Sequence, residues 1–418
     1  MRAVIVGGGI AGAATAIALT EVGIEAVLLE RRSASAAEAG SYLTIAPNGL
    51  SALDALGALN LVEVVGFRSR TNVMYGANGR RLGEVSLGQP LHDDLTALTL
   101  KRSGLAVTLV EEAERRGVLV HRGAPVVSVV TGAGPGQVPG TGISATLADG
   151  ARFTGSLLVG ADGVHSLVRR ALDPRAPAAR YVGLTNFGGI TRRTAVAARL
   201  RPEAWHFVFG RAAFFGAHPT PAGDVVWFVN VPEPAISRER RATTTDEQWK
   251  SHLVNLLQRD AGPAAELVRE GTLELAGDNT YDLPHVRSWT DGLTVLVGDA
   301  VHAPSPSSGQ GASMALEDAV SLARALRDHA ADEEAVPAAL TAFVQSRRGR
   351  VERIVAAGAR SSSTKIPGPV GRPLQESILR LVFRFAVTEE KLAWMNGYRS
   401  TWESEPAAAR ATASRRSR

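Results

Sequence analysis

Gly7, Gly9 and Gly12 satisfy the spacing G-x-G-x-x-G between a short apolar run, residues 3–6, and a run of small residues, Ala13, Ala14, Ala16, Ile17, Ala18 and Leu19. Each glycine has a separate physical task. Gly7 allows a tight strand-to-helix turn, Gly9 lets the backbone approach a pyrophosphate, and Gly12 lets helix and strand pack closely. The helix N-terminus then offers free N–H groups and a positive dipole end to phosphate. Gly23 follows as a helix stop, a second apolar run spans residues 26–29, and Glu30 closes it. A carboxylate there suits the hydroxyls of a ribose, so the order of strand, glycines, helix, strand and acid points to dinucleotide binding. Arg31, next in the chain, joins the candidate cofactor-binding set.

Two further Gly/Asp pairs stand just past apolar, strand-like runs. Residues 157–159 lead into Gly160-Ala161-Asp162-Gly163, with Arg169 and Arg170 beyond; residues 293–297 lead into Gly298-Asp299-Ala300-Val301-His302. Gly309-Gln310-Gly311 then opens a helical pattern. Ligands of open parallel sheets sit past the C-terminal ends of strands, where both pairs fall. Gly132, Gly134 and Gly136 also alternate, but Pro135 and Pro139 interrupt them, and strand-like residues 125–130 and 142–147 flank them. That stretch reads as a flexible hairpin loop.

These three motifs, the string G-D-A-V-H-A-P-S-P-S-S-G-Q-G-A over residues 298–312, and Glu317-Asp318-Ala319 closely resemble the single-component FAD-dependent monooxygenases of the para-hydroxybenzoate-hydroxylase type. The likeness follows motif order over roughly residues 1–360 and is only general over 181–285. It implies an extended, noncovalently bound FAD, with its AMP half on Gly7, Gly9, Gly12 and Glu30. Asp299, after Gly298, would lie at the ribityl and pyrophosphate region, Arg102 near the ribityl chain, and Asp162 and Gly163 at the cofactor and nicotinamide groove. The helix beginning at Gly309, Gln310 and Gly311 would aim its N-terminus at the flavin pyrimidine edge and stabilise the negative charge of the reduced ring. Pro306 would pack beside the reactive ring as a candidate catalytic position. The family's reaction uses NAD(P)H as transient cosubstrate and O2, through a flavin C4a-hydroperoxide, to hydroxylate or epoxidise an aromatic or polycyclic small molecule. Ser41 and Tyr42 depart from the small residue many relatives place after Gly40. Tyr42 would alter flavin mobility, reach the substrate, or merely pack. Rival readings are a halogenase or reductase on the same fold, a non-catalytic flavin-binding protein, and a nicotinamide dehydrogenase. The familiar halogenase element W-x-W-x-I-P is absent.

Positioning these groups requires an α/β fold: a Rossmann-like FAD-binding domain with a central parallel sheet, an antiparallel-sheet substrate domain and a C-terminal helix. The first is expected in three pieces, 1–75, 98–178 and 286–360, and the second at 76–97 and 179–285. A helical segment at 361–402 carries an amphipathic pattern over 374–395, and 403–418 reads as a disordered basic tail. Seven of the chain's 22 aromatics fall within 24 residues, from Trp205 to Phe228. Trp205, Phe207 and Phe209 alternate, so they share one strand face, which walls a substrate site or packs on a helix. With Phe215 and Tyr42 they form the candidate substrate set. His218 is a candidate acid or base, as is His206, because imidazole titrates near neutral pH. His302 reads as a positioning residue within its motif.

Composition narrows the class. Across 418 residues, 45% hydrophobic and 21% charged content supports a large core and excludes global disorder. No uncharged run is long enough to span a bilayer. Absence of cysteine excludes disulfides and thiolate chemistry and fits a reducing, cytoplasmic setting. No metal-ligand spacing and no G-x-S-x-G elbow is present. The net charge is +5, of which residues 405–418 supply +3, so the body carries no basic face for nucleic acid. Nothing in the sequence speaks to oligomeric state.

Overall fold

A computed structural model describes residues 1–33, 40–131, 142–283, 285–305, 308–330, 332–362, 383 and 389–403. Its organising element is a six-stranded sheet in the order Thr290–Asp291, Thr294–Leu296, Leu157–Gly160, Arg2–Val6, Glu25–Glu30, Leu119–Arg122. All its pairings are parallel except that of the first two strands. Three of these strands read as continuous apolar runs because helices cover both faces of a parallel sheet. Ala3, Val4, Ile5, Leu157, Leu158, Val159 and Val295 are all solvent-inaccessible. Helix Ile10–Glu21 is buried along most of its length between this sheet and its neighbours, helices Arg102–Arg115 and Gly311–His329. Its small side chains permit that close packing: a Cβ on Gly12 would sit 1.8 Å from the Gly7 carbonyl oxygen.

The second sheet has seven strands, in the order Thr272–Asp282, Arg180–Thr191, Val225–Pro232, Phe214–Pro219, Ala204–Phe209, Thr71–Gly76, Arg81–Ser86. It corrects the sequence expectation twice. Ala204–Phe209 and Thr71–Gly76 pair in parallel, so the sheet is mixed. The boundary expected at residue 75 falls inside a strand that already belongs to this sheet. Its outer face (Val208, Phe215, Ala217, Trp227 and Val229) packs with Trp249, Leu253, Leu257 and Leu267 from two helices, Asp246–Leu257 and Ala264–Glu270. A capping box of Thr245 and Gln248 sets the start of the first of these. The inner face turns toward the nucleotide-binding sheet, and Tyr42–Ile45, Ala97–Lys101 and Phe67–Ser69 form a small antiparallel sheet beside it.

Residues Val126–Val130 and Ile143–Leu147 pair antiparallel, as the hairpin reading requires; the glycines between them lie outside the described residues. Most of the expected amphipathic stretch 374–395 and the tail beyond Glu403 lie outside them too. Helix Glu389–Asn396 is the described end of that stretch. Among the described residues no helix is long and apolar enough to cross a membrane.

Candidate functional site: a cleft between two sheets

One cavity of about 1840 Å³ runs from Glu30 and Arg31, past the N-terminal ends of helices Ile10–Glu21 and Gly311–His329, to the inner face of the seven-stranded sheet. Small-ligand pockets usually occupy about 300–1,000 Å³, so this one has room for a dinucleotide and a second ligand together.

The glycines at its first end are there for shape. Gly7 has φ +106°, and any Cβ would meet the Ala161 carbonyl oxygen at 2.5 Å. Gly9 has open space where a side chain would project, and no side chain caps the helix it starts, so the first-turn N–H groups of Ile10 and Ala11 open on the cleft. The Glu30 carboxylate accepts hydrogen bonds from the backbone N–H of Gly8 (2.7 Å) and Arg32 (2.8 Å), which holds it at the cleft wall with lone pairs to spare. Arg31 lines the same end.

The two Gly/Asp motifs meet in the middle. Asp162 lines the cleft, but its carboxylate accepts from Ser166 Oγ at 2.5 Å and from the N–H groups of Leu167 (2.6 Å) and Val168 (3.2 Å). It caps helix Leu167–Leu172 and shapes the loop, while Gly163, at φ +80°, faces open space. Arg169, 1% exposed, donates to the carbonyls of Val164 (2.8 Å) and Ala300 (2.7 Å), stapling this loop to the other motif. Gly298, at φ +58°, brings its backbone so close to the first helix that a Cβ would lie 2.7 Å from Ala11 Cβ. Asp299, just beyond, lines the cleft, its Oδ1 3.9 Å from where a Cβ on Gly311 would sit. Gly309, at φ +61°, and Gly311 line it as well. Gln310 lines it too, its side chain accepting from Asn48 Nδ2 at 2.9 Å and donating to Asn396 Oδ1 at 3.0 Å. Arg102, at the start of its helix, also lines the cleft. Pro306 lies outside the described residues. Glycines that leave the wall open, the Glu30 and Asp299 carboxylates and two helix starts without a side-chain cap suit an extended FAD.

A buried ionic cluster braces that centre from behind. Arg347 donates to Glu317 at 2.6 Å and Asp318 at 2.9 Å, and Arg350 bonds both oxygens of Glu317. Asp318 also accepts from His302 and from the Gly298 N–H. Burial alone would raise the Asp318 pKa; His302 and Arg347 override it and hold the carboxyl at about 2. Burial would lower the His302 pKa, and Asp318 likewise reverses the direction and raises it. His302 thus holds the Gly298 turn in place, the positioning role its motif suggests.

The far end of the cavity is aromatic. Trp205, Phe207, Phe209, Phe214 and Phe228 line it, with ring centroids 5.1–6.0 Å apart. Gly216 makes room for them: a Cβ there would come within 2.4 Å of the Phe228 ring. The alternation of Trp205, Phe207 and Phe209 therefore marks the cavity face. Tyr42 lines the cavity too, its phenol pKa pushed up to about 12 by burial, with Glu274 adding to the effect. Phe215 is a correction: it points to the opposite face and packs in the outer helical core.

His218 is a second correction. It is buried and does not line the cavity. Its Nδ1–H donates to the Pro219 carbonyl at 2.8 Å, leaving Nε2 to accept from Ser69 Oγ–H at 2.9 Å. Ser69 accepts in turn from Thr99 (2.7 Å), and Thr99 from Thr44 (2.8 Å), whose hydroxyl is at the cavity wall. Trp205 Nε1–H donates to both Thr44 and Thr99. Burial depresses the His218 pKa to about 4, partly offset by the Pro219 carbonyl, so the ring is neutral near pH 7. His206 stacks on Tyr75, also with a lowered pKa caused by burial.

Residues absent from the sequence-derived set also line the cavity: Asn72, Met74, Phe214, Phe228, Asn230 and, from the C-terminal segment, Leu392 and Met395. The i, i+2 alternation of Asn72 and Met74 was available as a signal; the C-terminal contacts had none.

Sheet order, glycine-lined cleft and helix N-termini define a dinucleotide-binding flavoprotein. Residues 1–358 match the family model described as FAD binding domain. The chain is 30% identical over 366 residues to aurachin C monooxygenase/isomerase of Stigmatella aurantiaca, covering 86% of this chain and 88% of that protein. It is 31% identical over 332 residues to 2-heptyl-3-hydroxy-4(1H)-quinolone synthase of Pseudomonas aeruginosa, covering 78% and 80%. The crystal structure of Klebsiella pneumoniae HpxO complexed with FAD and uric acid shares the fold, with a TM-score of 0.77, 23% identity and coverage of 96% of both chains. The chain belongs to the FAD-binding family of single-component monooxygenases that includes the aromatic hydroxylases. It is a flavoprotein oxidoreductase of that family, with FAD as its cofactor.

Proposed function

We propose that the protein uses NAD(P)H and O2 to hydroxylate or epoxidise a flat aromatic or polycyclic small molecule seated in the aromatic end of the cleft. The observation that carries this reading is the continuity of one cavity from the glycine-lined dinucleotide end to the wall of Trp205, Phe207, Phe209 and Phe228. Gly7, Gly9, Gly12 and Glu30 would hold the adenosine half of FAD, and Asp299, Arg102 and the start of helix Gly311–His329 the flavin half. When bound, FAD supplies hydride acceptance from NAD(P)H and activation of O2.

The chain's own residues do the rest. N–H groups at the start of helix Gly311–His329 and its dipole stabilise negative charge brought to that end of the cleft. Face and edge contacts from the aromatic wall orient a flat ring and exclude water from it. Met74, Val85, Phe209, Phe383 and Leu392 extend the wall into an apolar annex, which suits a lipophilic substrate. The two relatives above are named for aurachin C and an alkylquinolone, and a secondary-metabolic substrate of that kind fits both regions. A cysteine-free chain suits a cytoplasmic setting.

The test is NAD(P)H oxidation by the FAD-loaded protein across a panel of planar aromatic compounds. A ligand that stimulates oxidation with FAD retained supports the proposal. Bound FAD with no stimulation by any of them favours a non-catalytic flavin-binding protein.

A further inference from the structure

The inner face of the seven-stranded sheet carries one row of side chains from the aromatic corner of the cavity toward solvent. Phe209 pairs with Phe214, Phe214 with Asn230, Asn230 with Asn186, and Asn186 with Asp278, on five successive strands. All five residues line the cavity. At the solvent end Asp278 accepts from Arg241 at 3.4 Å, and both side chains are partly exposed. The middle of the row is polar and unsatisfied. Asn230 is only 6% exposed, and among the described residues neither its carboxamide nor that of Asn186 has a hydrogen-bond partner. Their polar atoms remain reachable from the cavity, unlike the unpartnered oxygens of Asn48 and Asn72, which are sealed from it. Directly opposed residues of an antiparallel pair stand about 4.5–5.5 Å apart at Cβ, so one ligand atom can meet both carboxamides.

The row divides the groups of a ligand by chemistry. Phe209 and Phe214 offer apolar faces and edges, and the Asp278 carboxylate accepts without donating. The Asn230 and Asn186 amides therefore hold the only side-chain N–H groups of the row. A ligand N–H or O–H finds a stronger acceptor in the charged Asp278 carboxylate, so what the amides add is donation to an oxygen. Asp278 is paired with Arg241, and the row brings no net positive charge to hold a carboxylate. A neutral carbonyl oxygen is the acceptor it suits. A buried amide hydrogen without an acceptor is costly, and a ligand that supplies one regains the difference.

We infer that Asn230 and Asn186 form a polar subsite that donates N–H to a carbonyl oxygen on a planar substrate, whose apolar part lies against Phe209 and Phe214. This rests on the monooxygenase reading only for the word substrate; the contact stands separately. A site built to hydrogen-bond such an oxygen rejects a hydrocarbon analogue of the same shape, because the amides are then left unpaired.

The test uses the FAD-loaded protein and two probes of matched shape, 1-methyl-2-quinolone and 1,2-dimethylnaphthalene, which has a methyl group where the first has its carbonyl oxygen. Dissociation constants are read from the change in flavin absorbance. Asn230→Leu should weaken the carbonyl probe about tenfold and leave the hydrocarbon within about twofold. Asn186→Leu should act in the same direction. Asn230→Asp, which keeps an acceptor and loses the donor, should weaken the carbonyl probe at least as much as Asn230→Leu. Flavin content of each variant reports folding independently of ligand. Equal losses for both probes in Asn230→Leu, undiminished binding of the carbonyl probe in Asn230→Asp, loss of flavin from all three variants, or failure of the unaltered protein to bind the carbonyl probe each overturns the inference. Asn230-dependent binding without NAD(P)H oxidation for any carbonyl-bearing ligand would instead count against the monooxygenase reading and leave the contact standing.

Discussion

At the scale of single residues, two paired strands divide their side chains between the cavity and the outer core. Phe207 is half-buried on the cavity face, whereas Phe215, across from Val208 in the adjacent strand, is enclosed by the outer helical core. Phe207→Ala should therefore weaken aromatic-ligand binding while FAD content and melting temperature change little. Phe215→Ala should cost about 3–5 kcal/mol of stability as a core truncation and leave ligand affinity of the folded fraction intact. Calorimetry and ligand titration on both variants check the pair, and a reversed pattern would exchange the two faces. His218 gives a pH dependence of known sign. Its folded-state pKa of about 4 lies below the unfolded value near 6.5, so the unfolded chain binds the extra proton between those limits. Stability attached to the neutral ring is present above about pH 6.5 and is lost as pH falls toward 4, by up to about 3 kcal/mol. Comparing melting temperatures of the protein and His218→Gln from pH 7 to 4 isolates this contribution from that of Asp318, which is lost only on further acidification toward its own pKa of about 2. Parallel curves for the two proteins would contradict the neutral, buried assignment.

At the scale of elements, the site is built where helix starts meet strand ends, and a buried ionic knot keeps them there. Arg347 reaches from helix Val336–Ser362 to Glu317 and Asp318 on helix Gly311–His329, and Asp318 reaches on to the Gly298 turn. Arg350 extends the knot to the carbonyls of Trp394 and Met395, tying the C-terminal helix to the cavity rim. Arg347→Met leaves two carboxylates buried with less compensation and should cost about 3–5 kcal/mol. Because the same carboxylates hold the Gly298 turn, FAD affinity should fall with it. Differential scanning calorimetry and FAD titration measure both; lost stability with unchanged FAD affinity would show that the knot supports the helices alone.

At the scale of the whole molecule, the parts legible in the sequence are those whose physics is local. A glycine turn, an apolar strand and an acid at its end are consecutive, so the parallel sheet and the nucleotide end of the cleft could be read from residues 7–30 and 298–311. Alternation placed Trp205, Phe207 and Phe209 on one face, and it could not say which face met the cavity. That depends on cross-strand register: Gly216 stands opposite Phe207 and Phe228, a relation made by two hairpin pairings. Phe215 was misplaced for the same reason; His218 shares the face of Phe214 and Gly216 and is kept from the cavity by Ser69 and Trp205 packed against it. The parallel pairing of Ala204–Phe209 with Thr71–Gly76 joins segments more than a hundred residues apart and has no local signal. Asp162 and Gln310 were singled out by motif and both line the cavity, and their hydrogen bonds to the Leu167 N–H and to Asn48 are a structural task that the motif alone does not reveal.

The proposed reaction, transfer of one oxygen atom of O2 to an aromatic ligand held between the two sheets, is best checked by isotope. The FAD-loaded protein would be turned over with NAD(P)H and an aromatic ligand that stimulates oxidation, under ¹⁸O2, and the organic product examined by mass spectrometry. The product should carry one labelled oxygen atom, with its yield reduced in Phe207→Ala. NAD(P)H consumption that yields only hydrogen peroxide with every stimulating ligand, or a product whose new oxygen derives from water, would contradict it.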